Sequence, residues 1–234
     1  TGDISALSTT NIRAFNTAAI NALGTDQIAA LTTAQTAALS TSQTQALNTA
    51  QVAALESTDL AAMSSAQVAV LNSAQVGAIE TGDISALGTA AVRAIATNAV
   101  AGLSTDQVAA LTSAQIGAMS SAQAAALDTA QAAAIETGDI AALSTAAVRA
   151  MSTAAVAALG TDQVAALSTA QVAGLSSSQT QALSTSQVAA LESADLAVMN
   201  SAQIASFNTA QAAAIETGDI SALSTTNIRA RSEE

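Results

Sequence analysis

The chain has 234 residues and a net charge of −12, from 17 acids and five arginines, with no Trp, Tyr, His, Cys, Pro or Lys. This balance disfavours nucleic acid and anionic membrane as partners, and it excludes disulfides and thiolate metal sites. Half the residues are hydrophobic but only 1% are aromatic. That leaves too few large groups to fill an ordinary globular centre, yet too much apolar content for a disordered chain.

Along the chain the elements repeat in one register of eight residues. From Leu7 through Phe15, Leu23 and Leu31 to Leu223, each of 28 successive positions is Leu, Ile, Met or Phe, and Arg231 is the first to differ. Three residues before each lies a second apolar slot: Ile4, Ile12, Ile20 and Ile28, then mostly Val. The consensus is Ser-Thr-x-Gln-Val-Ala-Ala-Leu. Apolar residues at i and i+3 share one face of a helix, whereas a strand would send them to opposite faces. One unbroken helix fails as well, because its apolar stripe would drift by roughly 80° with every octad.

Each octad is therefore predicted to be a helix of about six residues followed by a tight corner. The slot after Leu holds Ser, or Gly24, Gly88, Gly160, Asn16, Asn48, Asn72, Asn200 and Asn208. Gly and Asn tolerate the left-handed conformation common just past a helix end. The following Ser or Thr is the preferred N-cap. The alternative puts the cap one residue earlier and pairs it with Gln in a capping box. Glu56, Glu80, Glu136, Glu192 and Glu216 in that earlier slot argue against it.

So short a helix is unstable alone, so octads must stack, sharing an apolar seam and satisfying one another's backbone ends. The predicted fold is an all-α solenoid of very short helices without a globular core. It is expected to be one continuous unit over 1–234, about 29 octads, forming a segment of a longer chain. Apolar runs such as 154–159 are far too short to span a membrane, so no membrane insertion is expected.

A longer period overlies the octad. The segment "TGDISALSTTNIRA" at 1–14 returns with small changes at 81–94 and 137–150, and unchanged at 217–230. Successive landmarks stand ten, seven and ten octads apart, so a block of 17 octads recurs. Each landmark carries one arginine: Arg13, Arg93, Arg149 and Arg229. Asp3, Asp83, Asp139 and Asp219 lie ten residues before them, Glu80, Glu136 and Glu216 thirteen before, and Asp26, Asp106 and Asp162 thirteen after. These residues are candidate inter-repeat ion pairs. If the four arginines share one face, a turn holds about 3.3–3.5 octads, since ten and seven octads must both approach whole turns.

Catalytic chemistry has little to work with. Many hydroxyls are present, but no His or Lys to activate one, and no aromatic platform for a sugar. No enzymatic activity and no cofactor are expected. A Ca²⁺ site at "ETGD" lacks a dense ligand run, and an ice-matching row of Thr hydroxyls competes with their capping role.

The words "LSTDQVAAL" (103–111), "LTTAQTAAL" (31–39) and "LSTAQVAGL" (167–175) resemble octapeptide-repeat tracts of large bacterial surface or secreted adhesin-like exoproteins. The resemblance implies an extended stalk, spacer or filament segment, located extracellularly or on the bacterial surface. The competing expectation is a scaffold binding a protein, glycan, Ca²⁺ or ice through its acidic, hydroxyl-rich face. Self-association through open ends is a third.

Overall fold

The computed structural model describes residues 2–223. Among them are 27 short α-helices and one 3-10 helix, Ile84–Ala86, and no strand. The chain divides into two compact units, Thr1–Met119 and Ser120–Glu234. Within each, the helices follow the octad and run for four to six residues.

The corner between helices is built differently from the expectation. No described residue, glycine included, has a positive φ. Two consecutive extended residues make the bend instead. Leu47 at φ −60°, ψ 133° ends the helix Thr41–Ala46, and Asn48 at φ −80°, ψ 169° opens the next. Extended backbone suits any residue type, so Gly24, Gly88 and Gly160 are not needed for a left-handed turn.

The cap also lies one residue earlier than expected. Ser40 precedes Thr41–Ala46, and its hydroxyl accepts from the Gln43 N–H at 3.2 Å, while Gln43 Oε1 accepts from the Ser40 N–H at 2.8 Å. This reciprocal box recurs at Thr32, Asn48, Ser104, Ser168 and Asn208. Glutamate is indeed a poor cap: Glu56 and Glu136 make no side-chain cap bond. The two bonds supplied by Gln in the other octads outweigh that exception.

Each octad then closes on itself. The Thr44 N–H donates to Ser40 O at 2.9 Å, and the Leu47 N–H donates to Thr44 O at 3.2 Å. Stacking follows a fixed step. Helices that pack side by side begin three octads apart, as Thr33–Ala38 on Ser57–Ala62, or Thr129–Ala133 on Thr153–Ala157. Side-chain hydrogen bonds reach 28 and 31 residues back. One turn in each unit therefore holds between three and four octads.

The Val/Ile and Leu slots form the core, with Ile28, Val76 and Val172 wholly buried and Leu slots only slightly less so. Layers this thin leave no slack where backbones meet. The helix Thr97–Val100 packs on Ser73–Gly77, and a Cβ at Gly102 would collide with the Ser73 carbonyl. A Cβ at Gly138 would meet nothing within 4 Å. Gly102→Ala should destabilise by about 1–3 kcal/mol through overpacking, lowering Tm by several degrees. Gly138→Ala, inside Thr137–Ile140, should leave Tm unchanged or raise it slightly. Thermal melts of the two variants, followed by circular dichroism, check the pair.

Candidate functional site

The fourth residue of the octad is the chemically distinctive one. Gln35, Gln43, Gln51, Gln115, Gln171 and Gln203 are all at most 2% exposed, an unusual state for glutamine. Each side chain uses both ends of its amide. In Gln115, Oε1 accepts from the Thr112 N–H at 2.8 Å, inside its own octad. Its Nε2 donates to Leu87 O at 2.7 Å and Ile84 O at 3.0 Å, one turn back. Gln171 repeats the pattern with Ser168 N at 2.7 Å, Leu143 O at 2.7 Å and Ile140 O at 3.0 Å.

These amides form a ladder through each unit. Short helices leave orphan donors at the start and orphan carbonyls at the end. One glutamine satisfies a donor of its own helix and carbonyls of the turn beneath. Glutamate has the reach but no donor, and asparagine has the chemistry but one methylene less. The sequence period signals this slot, but its polarity suggests only a capping partner near the helix start.

The described arginine landmarks lie at the surface. Arg13, Arg93 and Arg149 are exposed, each directly after a buried Val or Ile. Asp3, Asp26, Glu80, Asp106, Glu136, Asp162 and Glu216 are exposed, and Asp83, Asp139 and Asp219 are half-buried. Arg229 lies outside the described residues. Helices that pack on one another are three octads apart, so offsets of ten and thirteen residues join neighbours along the chain instead. Arg149 sits on Thr145–Ala150, which packs on Thr169–Gly174, whereas Asp139 and Asp162 sit on the pair Thr137–Ile140 and Thr161–Ala165. The Arg149 guanidinium donates to the Gly174 carbonyl at 3.4 Å, 25 residues on. Asn21, in the same slot, donates to Ala46 O over the same span at 2.8 Å. This slot therefore reaches a helix-end carbonyl of the next turn.

Two acids without any distinguishing mark in the sequence occupy the glutamine slot. Asp59 and Asp195 are 2% and 3% exposed. Burial holds the Asp59 carboxyl above its usual range; the nearby Thr36 hydroxyl opposes this and Glu56 adds to it. Burial likewise raises Asp195, opposed by the Glu192 backbone N–H and reinforced by the Glu192 charge. Elsewhere Glu192, Glu216 and Asp219 line a shallow recess in which Ser193 Oγ donates to Asp219. Among the described residues no cluster of three acids could hold a metal ion, and no helix is long and apolar enough to cross a membrane.

A solenoid of one-turn helices, cross-linked by buried amides, defines a helical repeat scaffold. The ALTTAQ repeat model matches residues 1–33, 52–79, 76–113, 132–169, 164–193 and 188–215, and the chain belongs to this repeat family. A search of curated proteins found no match.

Replacing Gln115 by Met keeps the length and removes every hydrogen bond of the side-chain amide. The loss of a satisfied buried amide should cost about 2–4 kcal/mol. Amide exchange at Thr112, whose N–H loses its acceptor, should accelerate, and a Thr112 amide as protected as before would show that the rung contributes nothing.

Proposed function

We propose that this chain is a structural spacer, an extended stalk or filament segment of a bacterial cell-surface or secreted protein. The observation supporting it is the glutamine rung, which hands each turn to the next through the same atoms at the same 28- and 31-residue steps. Such a register makes stability a sum of local interfaces, so the array tolerates change in octad number. The surface left over is small and polar: slots one to three of most octads are exposed, and they hold mainly Ser, Thr, Ala and acids. No His, Lys or Cys is available for nucleophilic or general-base chemistry, so the reading includes no catalytic step. The surface or secreted setting rests on the likeness of the repeat words to adhesin-like exoprotein tracts.

A spacer must convert added octads into added length. Duplicating the seven-octad block 81–136 should raise the maximum dimension seen by small-angle X-ray scattering in proportion, with helicity per residue unchanged. A longer chain of unchanged maximum dimension would sink the proposal. The binding-scaffold reading has one observation in its favour, the acidic recess at Glu192, Glu216 and Asp219. A rise in Tm with Ca²⁺ or glycans would favour that reading, because a ligand stabilises the state that binds it.

A further inference from the structure

The glutamine ladder has two fully buried rungs where a carboxyl replaces the amide. Asp59 and Asp195 stand in the glutamine slot, 17 octads apart, one in each unit. By the register of the other rungs, Asp59 falls above the carbonyls of Ile28 and Leu31, and Asp195 above those of Val164 and Leu167. One carboxyl oxygen can do what glutamine Oε1 does: Asp195 Oδ2 accepts from the Glu192 N–H at 3.3 Å. Aspartate is one methylene shorter than glutamine, and an ionised carboxylate in this slot offers the carbonyls of the turn beneath no donor in place of Nε2.

The surroundings of Asp59 carry a second sign of unmet polarity. Thr36 Oγ1, on the helix packed beneath it, is buried and has no hydrogen-bond partner. Thr44 and Thr180 occupy the same slot in other octads and turn their hydroxyls to Ser40 O and Ser176 O, both at 3.1 Å. Thr36 instead lies beside the Asp59 carboxyl, where its hydroxyl favours the ionised form against the larger effect of burial, although it completes no hydrogen bond of good geometry.

No cation is at hand to compensate. Ser57–Ala62 packs on Thr33–Ala38, which has no ionisable residue, and on Ile84–Ala86, whose octad carries Glu80 and Asp83. The helix four octads back, Thr25–Ala29, carries Asp26, and Glu56 is on the octad itself. Ser193–Val198 packs on Thr169–Gly174, again without ionisable groups, and on Thr217–Ile220 with Glu216 and Asp219. Asp162 lies on the helix four octads back and Glu192 on the octad itself. Every charged group around either carboxyl is an acid, so each favours the protonated form.

We propose that Asp59 and Asp195 are proton-dependent positions in the ladder: each carboxyl, buried among acids with no cation on the helices packed against it, is held neutral in the folded turn, and ionising it loosens that turn. The folded state then holds these protons more tightly than the unfolded chain does. Stability is fully present below the ordinary carboxylate range and falls as pH rises through the elevated folded-state values. The scaffold is thus expected to be tighter in mildly acidic surroundings than at neutral pH, locally at one turn in each unit.

The test compares the full chain with the D59Q/D195Q variant, which installs the usual rung, across pH 4 to 7.5. At neutral pH the variant should melt higher by roughly 3 °C per site, and the gap should shrink toward pH 4. Carboxyl-carbon NMR titration of the unaltered chain needs no variant. Asp59 and Asp195 should lose their protons at higher pH than an aspartate of the unfolded chain does. A gap independent of pH, or both carboxyls titrating in the ordinary aspartate range, overturns the proposal. So does a neutral-pH gap that closes when Na⁺, K⁺ or Ca²⁺ is raised at constant ionic strength, which would assign the position to a bound cation. None of these outcomes bears on whether added octads add length, so the spacer reading stands or falls separately.

Discussion

One side chain, the buried glutamine, makes a stack out of helices that could not exist singly. A helix of four to six residues has almost no internal ladder of i→i−4 bonds, and most of its backbone groups are orphans. Ordinary proteins hide that problem by making helices long, so that ends are a small fraction of the whole. Here the ends are nearly everything. Gln115 binds the first free N–H of its own turn and the last carbonyls of the turn below. The amide works in both directions because it carries a donor and an acceptor on one rigid plane. Burial strengthens each bond and makes its loss expensive, so the polar seam becomes as demanding of register as the apolar one.

The apolar seam explains why the alphabet is so poor. Helix axes a turn apart are separated by Val and Leu on one side and by the amide on another. Mostly small residues hold the slot directly before Leu, chiefly Ala with Gly102 and Gly174, because turns approach closely there, whereas the slot before it is open enough for Arg149 and Asn21. Aromatic residues find little room in such a layer; only Phe15 and Phe207 occur, both in the Leu slot. The same thinness gives the glycines their role. Gly102 and Gly77 are required for space, at negative φ, where one turn's backbone approaches the next.

Periodicity makes the fold class legible, since apolar slots three apart in an eight-residue word admit a short helix and exclude both strand and continuous helix. The stacking requirement is legible too, from how little one octad can bury. Capping is only half legible. Asn and Gly after the Leu slot are ambiguous between a left-handed C′ residue and an extended N-cap, as Asn48 itself shows. The partner three residues on decides between them, and a Gln there outweighs the poor capping of the few glutamates. The ladder is hidden for a different reason. Which carbonyl a glutamine reaches depends on the number of octads per turn, a quantity set by packing between segments three to four octads apart. Asp59 and Asp195 escape notice in the sequence because a lone acid in a polar slot looks solvated until the turn beneath it is known. The arginine landmarks are conspicuous in sequence, yet Arg149 finds a backbone carbonyl across the turn, a partner that charge spacing along the chain does not point to.

The landmarks acquire a structural sense once the slot is recognised. After each "TGD" word the amide is missing for consecutive octads: Asp83, Ala91 and Ala99 in one unit, Asp139, Ala147 and Ala155 in the other. Ala91, Ala99, Ala147 and Ala155 are nonetheless buried. A side chain ending at Cβ cannot bridge to the carbonyls below, so these turns must hold by direct approach of helix surfaces. Gly102 against Ser73, in the octad of Ala99, shows how close that approach is. The chain therefore alternates two modes of turn-to-turn adhesion, hydrogen-bonded rungs and small-residue contact, and the longer period sets where one gives way to the other. Rungs fix the register along the chain, because an amide has one acceptor geometry. Small-residue contacts fix the spacing, because steric exclusion sets how near two backbones come. An array using only the first would be free to breathe, and one using only the second would be free to slip.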